Sequence, residues 1–300
     1  CILCARCTRF CDEISGDSLI EFVDRGNGTQ ILTFFDEPFA SYFSGNTVQI
    51  CPVGALTAKP YRFRARPWDL EAIESISMVD SVGSKVSVQT SQNQVLRING
   101  VDSDTTNHGW LSDKDRFTLQ AIHSEDRLRV PLVRKDGELV EASWGEALEL
   151  VAERLGSVRG DEVAGLGAAR STNEEAYAFA KFLRSVVVTP HMDAQLDDAL
   201  SDEFLAATLN RAEINDLETA GTVLVWAGDL KEELPVLYLR VRRAATMLGA
   251  TLIVIHPRRT GLSDVADHVF TYRPGEGADT LRRLKAGRLL RPARHWIPDP

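Results

Sequence analysis

The clearest pattern of apolar and polar positions lies toward the C-terminal end, where two apolar runs flank an amphipathic segment. The runs are Thr222–Trp226 and Thr251–Ile255. Short runs without alternation are typical of parallel strands that are buried on both faces. The segment between them, from about Pro235 to Leu248, has helical spacing. This stretch therefore predicts a β-α-β unit of a doubly wound sheet.

A capping signal predicts a helix earlier in the chain. Ser143 is followed three residues later by Glu146, the spacing of a capping box. An apolar stripe at helical spacing comes next: Leu148, Val151, Ala152 and Leu155. A short strand at Val163–Leu166 and a helix from about Asn173 to Val186 are predicted to follow. The alternation of strands and helices predicts the α/β class.

Before this region the pattern changes to short alternating segments. Lys85–Gln89 and Gln94–Ile98 are separated by polar turns and predict a small β-rich domain. A basic stretch ending at Pro67 is interpreted as a connector. We therefore predict three parts: a cysteine-bearing segment over 1–66, a β-rich domain over 67–127 and a partial α/β domain over 128–300.

Composition narrows the functional classes. The 300 residues are 44% hydrophobic and 26% charged, which is typical of a globular protein. The excess of 43 acidic over 34 basic side chains argues against a nucleic-acid-binding surface. No apolar run approaches the length of a membrane span, so we expect no direct membrane insertion.

The cysteines indicate a metal site. All five lie within the first 51 residues, whereas a disulfide framework would be spread through a small secreted domain. The first four form the run C-x2-C-x2-C-x3-C, the spacing of bacterial ferredoxins: Cys1, Cys4, Cys7 and Cys11. In that run the first three cysteines bind one cubic cluster and the fourth binds the other cluster.

The second half of the ferredoxin pattern lacks three of its four thiols. Counting back from Cys51-Pro52, the expected ligand positions are Ser41, Ser44 and Thr47, whose hydroxyls are poor ligands for iron–sulfur clusters. Cys51 stands where the crossed fourth ligand of the first cluster belongs. We therefore predict one [4Fe–4S] cluster bound by Cys1, Cys4, Cys7 and Cys51. Cys11 is predicted to be a buried thiol without metal.

A zinc site is the alternative of another class. Four cysteine thiolates also bind zinc, and the chain would then be a zinc-stapled interaction module. Structural zinc sites usually pair two C-x2–4-C knuckles, which this spacing does not.

Three basic residues lie near the cysteines in the sequence. Arg6, Arg9 and Lys59 are hypothesised to raise the reduction potential of the cluster by stabilising its more negative, reduced state.

The cysteine segment resembles the large iron–sulfur subunit of bacterial NADH-quinone oxidoreductase (complex I). The stretches with this resemblance are Cys1–Phe10, Phe43–Asn46 and Ile50–Thr57. The resemblance implies an electron-relay subunit in the peripheral arm, with the other subunits of that arm as partners. It also implies a peripheral position on the cytoplasmic side of the bacterial inner membrane and no catalysis by this chain alone. Related subunits of NAD-linked formate dehydrogenases and hydrogenases remain an alternative.

The rest of the chain resembles molybdopterin oxidoreductases. The resemblance starts at Trp68-Asp69 and continues through Pro131–Gly137, Ser171–Glu175 and Ile255–Thr260. It implies a molybdopterin-oxidoreductase-like α/β domain. Active members commonly have an Asp at the position of His256, and many bind the metal through a cysteine or selenocysteine. This chain has no cysteine after Cys51, so we expect no molybdenum and a scaffold role.

Some relatives have a further cluster in the β-rich domain. The corresponding positions here are Ser77, Asp80, Ser84 and Ser112. Because none is a cysteine, the resemblance implies that this cluster is absent.

Both ends of the chain suggest a longer protein. The chain starts at Cys1, inside the ligand motif, so we expect a fragment with further residues before it. The last stretch, residues 282–300, has six Arg or Lys within thirteen residues. An ordinary basic tail and a truncation with an out-of-frame end both stay open, and we favour truncation.

Overall fold

The structure, a computed structural model, describes residues 1–167, 170–194, 201–209 and 211–285. Its mixture of helices and small sheets confirms the predicted α/β class. The chain divides into two compact units. One joins Cys1–Gln120 with the segment that begins at Ala212, and the other is Ala121–Arg211. The bounds of the three predicted domains stay predictions, and residues 286–300 of the basic stretch lie outside the described residues.

The cysteine segment contains two short helices and one hairpin. Its elements are α1 (Arg6–Arg9), β1 (Ile20–Val23), β2 (Gln30–Thr33) and α2 (Ser44–Ile50). Helix α1 continues directly into a π-helical turn, Phe10–Ser15. Strands β1 and β2 pair antiparallel, and α2 ends at Cys51.

A three-stranded antiparallel sheet follows, with the order β3-β4-β5. The elements of this region are β3 (Glu71–Ile76), β4 (Lys85–Ser91), β5 (Gln94–Gly100), α3 (Asp113–Phe117) and α4 (Leu119–Ile122). Strands β4 and β5 confirm the two predicted strands. Their hairpin turn is Gln92-Asn93, with φ of 49° and 62°, as a two-residue turn of the primed type requires. Strand β3 was missed because all six of its residues are exposed, so it has no apolar face to recognise.

The unit Ala121–Arg211 has two small sheets and three helices among its described residues. Its elements are β6 (Leu132–Lys135), β7 (Glu138–Glu141), α5 (Trp144–Gly156), β8 (Gly165–Leu166), α6 (Asn173–Phe182), β9 (Met192–Asp193) and α7 (Asp202–Ala207). Strands β6 and β7 form a hairpin, and β8 pairs parallel with β9. Helix α6 continues as a π-helical turn over Leu183–Val187, so the predicted strand and helix are both confirmed.

The predicted capping box at the start of α5 is confirmed. The backbone N–H of Glu146 donates to Ser143 Oγ over 3.3 Å, and the N–H of Ser143 donates to Glu146 Oε2 over 2.9 Å. The apolar stripe of this helix is not buried in a core. Leu148 is 60% exposed and Val151 is 51% exposed, and none of the residues of α5 is buried by the described chain.

The last described segment confirms the β-α-β unit. Its elements are β10 (Thr222–Val225), α8 (Leu230–Glu233), α9 (Pro235–Met247), β11 (Thr251–Ile255), β12 (His268–Phe270) and α10 (Gly277–Lys285). The three strands pair parallel in the order β10-β11-β12. Helix α9 is the crossover between the first two strands, as the apolar runs predict.

The cysteine segment and the β-α-β unit share one hydrophobic core. Its buried members from the two regions include Cys7, Phe10, Cys11, Ile20, Phe43, Tyr238, Leu239, Leu252 and Val254. The rings of Phe43 and Tyr238 stack with centroids 5.9 Å apart. Arg242 of α9 donates to the carbonyl oxygen of Glu13 over 2.8 Å. This packing places the cysteine segment against helix α9 and the parallel sheet.

Candidate metal centre

The first five residues form a loop with an unusual backbone. Leu3 and Ala5 have φ of 52° and 61°, in the left-handed region that non-glycine residues seldom adopt. Such conformations cost roughly 1–3 kcal/mol each and persist where the surrounding structure fixes them. Alternating backbone conformations of this kind turn N–H groups toward a common point and are found around many iron–sulfur sites. The N–H of Leu3 donates to Cys1 Sγ over 3.4 Å.

Cys51 lies in a different element, at the C-terminal end of α2. Burial alone would raise the pKa of its thiol. The backbone N–H groups of Leu56, Val53, Ala55 and Gly54 outweigh burial, so the pKa of Cys51 is lowered. Pro52 has no N–H, and Gly54 adopts φ of 64°, which lets the chain curl around the sulfur. The loop after α2 is therefore arranged to stabilise a thiolate.

The four predicted ligands line one cavity of about 430 Å³, which we call the cysteine cavity. Cys1 and Cys4 are exposed, Cys7 is buried and Cys51 is half-buried. The remaining lining comes from the loops on either side and from the β1–β2 hairpin: Ile2, Leu3, Arg6, Asn27, Thr29, Gln30, Ile31, Pro52, Val53, Ala55 and Leu56. Of these residues only Arg6 is of a charged type.

The electrostatics of this cavity favour a positive centre among the thiols. Burial raises the pKa of Cys7, and negative charge on Cys4 and Cys51 raises it further, against the opposing effect of the backbone N–H of Thr8. Several thiolates in one cavity repel one another unless cations lie between them. Iron bound by thiolates supplies that charge, and thiolates are the ligands that iron–sulfur clusters prefer. The residues present therefore fit a cluster.

The arrangement is less suited to a single ion. Within the described ranges, no three His, Cys, Asp or Glu side chains converge closely enough to hold one metal ion. Tetrahedral zinc requires all its sulfur ligands at about 2.3 Å from one centre. A cube binds each cysteine to a different iron, so its ligands lie farther apart. The cysteine spacing favours the cluster over the zinc alternative, because it lacks the two paired C-x2–4-C knuckles of structural zinc sites.

Cys11 lies elsewhere. Its side chain is 1% exposed and packs in the hydrophobic core with Phe10 and Phe43, and it does not line the cysteine cavity. Burial, with smaller effects from Cys7, Asp17 and Glu21, raises its pKa to about 12. A thiol in this environment stays protonated at neutral pH. That is the environment predicted for a cysteine without metal.

The positions where the second ferredoxin cluster would be bound, which we call the hydroxyl positions, are Ser41, Ser44 and Thr47. Each hydroxyl has a protein partner. Ser41 donates to Asp17 Oδ2 (2.9 Å), Ser44 to Asp113 Oδ2 (2.5 Å) and Thr47 to the carbonyl oxygen of Ser44 (2.7 Å). The hydroxyl positions are thus built into the hydrogen bonding of the fold.

Two of the four positions in the β-rich domain bond a residue that sequence reasoning missed. The hydroxyls of Ser77 and Ser112 both donate to the carboxylate of Asp115, which is 1% exposed. Asp80 Oδ1 accepts from the N–H of Val82 over 2.9 Å. Asp80 Oδ2 and the hydroxyl of Ser84, which is also buried, have no partner in the described part of the chain. Asp115 is the N3 residue of a capping box, a signal the spacing Ser112-x-x-Asp115 could have revealed.

The three predicted basic neighbours differ in position. Arg6 lines the cysteine cavity, whereas Arg9 and Lys59 do not. Arg9 forms a bidentate pair with Glu13, at 2.7 Å and 3.1 Å. Glu13 was missed because its role depends on the i, i+4 spacing with Arg9 rather than on any ligand pattern.

Comparison with known proteins gives three family matches. Residues 1–57 match "NADH-quinone oxidoreductase subunit 3, ferredoxin-like domain", and residues 70–120 match "NADH-ubiquinone oxidoreductase NDSU1/NuoG-like, 4Fe-4S domain". Residues 127–280 match "Molybdopterin oxidoreductase". The middle match contains no cysteine in this chain.

Relatives with similar sequences extend over most of the chain. It is 37% identical to a NADH-quinone oxidoreductase subunit of Streptomyces coelicolor, over 96% of this chain and 36% of that protein. It is 39% identical to the corresponding NADH-quinone oxidoreductase subunit of Mycobacterium bovis, over 96% of this chain and 37% of that protein. NADH-quinone oxidoreductase subunit 3 of Thermus thermophilus is 39% identical over 80% of this chain and 30% of that protein. The chain thus spans about a third of the length of these curated relatives. None of the helices in the described ranges has both the length and the apolarity that a membrane crossing requires.

Proposed function

The chain belongs to the molybdopterin oxidoreductase family, among the large iron–sulfur subunits of the NADH-quinone oxidoreductases, and from this premise we propose that it relays electrons through one [4Fe–4S] cluster. Cys1, Cys4, Cys7 and Cys51 bind that cluster. One observation carries the proposal: these four thiols line one cavity, while the fifth cysteine is buried in the core.

The proposal extends to the surroundings of the chain. Electrons originate from NADH and end on quinone, both bound by other subunits of the peripheral arm of complex I. The chain lies at the cytoplasmic side of the bacterial inner membrane without entering it. We expect no molybdenum bound through a thiolate in this stretch, because it has no cysteine after Cys51. The hydroxyl positions and the positions around Asp115 bind no cluster, because they lack thiols.

The residues of the chain have three tasks in this relay. When bound, the cluster supplies one-electron transfer without the making or breaking of covalent bonds in a substrate. The N–H groups of residues 53–56 offset negative charge at Cys51. Ile31 and Leu56, both half-buried, limit the access of water to the cavity. The strained loop through Leu3 and Ala5 positions three ligands before any metal arrives, which reduces the reorganisation that metal binding requires.

The relay is tested in the assembled enzyme by comparing two single-thiol variants. We expect Cys51→Ser to lower NADH-to-quinone electron transfer at least tenfold. NADH oxidation by an artificial acceptor that takes electrons before they reach this chain should be preserved. Cys11→Ser should retain both activities. Full quinone reduction in Cys51→Ser would show that electrons do not need this site.

A further inference from the structure

Arg6 contributes to the lining of two cavities. It lines the cysteine cavity and also a second, open cavity of about 260 Å³. The other residues that line the second cavity are Arg9, Phe10, Glu13, Ile14, Ile50 and Trp110. The backbone of Arg6 follows the left-handed Ala5 and starts α1, between the ligands Cys4 and Cys7. The side chain therefore extends from a fixed point in the ligand loop.

The charge of Arg6 is not balanced by a neighbour. Across the described residues, its guanidinium makes no ion pair and no side-chain hydrogen bond. Arg9, one helical turn away, is different, because its pair with Glu13 raises the pKa of Arg9 and lowers that of Glu13. The opposite charges of Arg9 and Glu13 nearly cancel each other at the cysteine cavity. The positive charge of Arg6 is not cancelled in this way.

A fixed positive charge next to a redox centre stabilises the state with the extra electron. Arginine side chains carry a permanent charge in proteins, so the effect requires no change of protonation. Because Arg6 is exposed, solvent and salt weaken it, and the effect should be larger at low ionic strength.

We propose that Arg6 is the residue of this segment that raises the reduction potential of the cluster, and that Glu13 prevents Arg9 from adding to it. This inference rests on the proposed cluster at Cys1, Cys4, Cys7 and Cys51. It refines the hypothesis for the basic residues, because Arg6 alone among the three lines the cysteine cavity and lacks a balancing acid. Arg6 changes the reduction potential through its charge alone and does not bind the cluster.

The test is a redox titration of the assembled enzyme, followed by electron paramagnetic resonance. The relevant signal is the one that Cys51→Ser removes. We expect Arg6→Gln to lower its midpoint potential and Arg6→Lys to restore most of the shift. Arg9→Gln should shift the potential less than half as much as Arg6→Gln. Glu13→Gln should raise the potential, since it leaves Arg9 unbalanced.

The variants also distinguish a failure of the inference about Arg6 from a failure of the proposed ligand set. An unchanged potential in Arg6→Gln, or an equal shift in Arg9→Gln, would overturn the inference while leaving the cluster in place. A signal that survives Cys51→Ser would instead refute the proposed ligand set. If the Arg6→Gln enzyme contained no cluster, the potential of the Glu13→Gln enzyme would test the inference instead. A higher potential in that variant supports the inference, and an unchanged one overturns it.

Discussion

The cysteine cavity and the hydroxyl positions belong to two halves of one ferredoxin ligand pattern, and they now differ in more than their ligand atoms. The first is an open space of about 430 Å³ with four thiols on its walls. At the second, the three hydroxyls make hydrogen bonds to the protein, two of them to carboxylates of other segments. The hydroxyls are thus held by a polar network of the fold, whereas the thiols face a cavity.

The backbone conformations of the two sites also differ. The loop before α1 holds Leu3 and Ala5 in left-handed conformations, which cost free energy. Ser44 and Thr47 lie in the regular helix α2, with Asn46 between them donating to the carbonyl oxygens of Phe43 and Leu111. Between these two sites, the strained backbone is therefore confined to the loop that contains Cys1 and Cys4, and regular helix contains Ser44 and Thr47.

The largest expected difference concerns thiol reactivity in the protein after its iron has been removed. Burial raises the pKa of Cys11 to about 12, so only roughly 10⁻⁴ of its thiols are ionised at pH 8. The lowered pKa of Cys51 makes its thiolate available at lower pH than in a free cysteine. We expect iodoacetamide to modify Cys51 more than a hundredfold faster than Cys11 at pH 8, as measured by peptide mass spectrometry. Comparable rates would show that Cys11 is not enclosed by the core.

A methyl group at Gly45 should disrupt the helix that contains the hydroxyl positions. A Cβ at this residue would overlap the side chain of Arg116, which is 4% exposed and donates to Asn46 Oδ1 over 2.9 Å. We expect Gly45→Ala to destabilise α2 by about 3 kcal/mol, since the buried guanidinium cannot move without losing partners. Hydrogen exchange of peptides from α2 measures this cost. Gly28→Ala, where the nearest atom is 3.9 Å away, is the matched control and should change exchange little.

A smaller effect of opposite sign is expected at Asp80. Burial raises the pKa of its carboxyl, so its ionisation costs stability as the pH rises from the unfolded value near 4 through the folded pKa. Asp80→Asn removes this cost and keeps an oxygen for the N–H of Val82. We expect the variant to be more stable than the wild type at pH 7 by about 1 kcal/mol, with the difference vanishing near pH 4.

Thermal unfolding between pH 4 and pH 8 measures this difference, with the exposed Asp104→Asn as control. A destabilised Asp80→Asn variant at pH 7 would indicate that the ionised carboxylate is required, for example by a cation.

Local pattern predicted the β-α-β unit, the hairpin β4–β5 and the capping box at Ser143, because each depends on neighbouring residues alone. Pattern could not predict that Phe43 and Tyr238 stack in one core, since no spacing links residues so far apart in sequence. The exposed strand β3 had no periodic signal, and the stripe at Leu148 predicted the helix but did not reveal that its apolar side chains are exposed in the described structure.

The candidate site shows the same limit. The ligand spacing pointed to four cysteines, and the structure brings these four to one cavity. Two contacts depend on side-chain directions in space. They are the ion pair of Arg9 with Glu13 and the hydrogen bonds that Asp115 accepts from two serine hydroxyls. Sequence spacing alone therefore overestimated the number of basic residues at the cavity and left the acid in the β-rich domain unnoticed.

The central claim is that the thiol at position 51, and not the one at position 11, completes the ligand set. The most direct measurement is the iron content and paramagnetic resonance spectrum of the assembled enzyme with Cys51→Ser or Cys11→Ser. The account predicts that Cys11→Ser keeps all of its iron, whereas Cys51→Ser loses one cluster's iron together with its signal. Loss of a cluster in Cys11→Ser with retention in Cys51→Ser would contradict it.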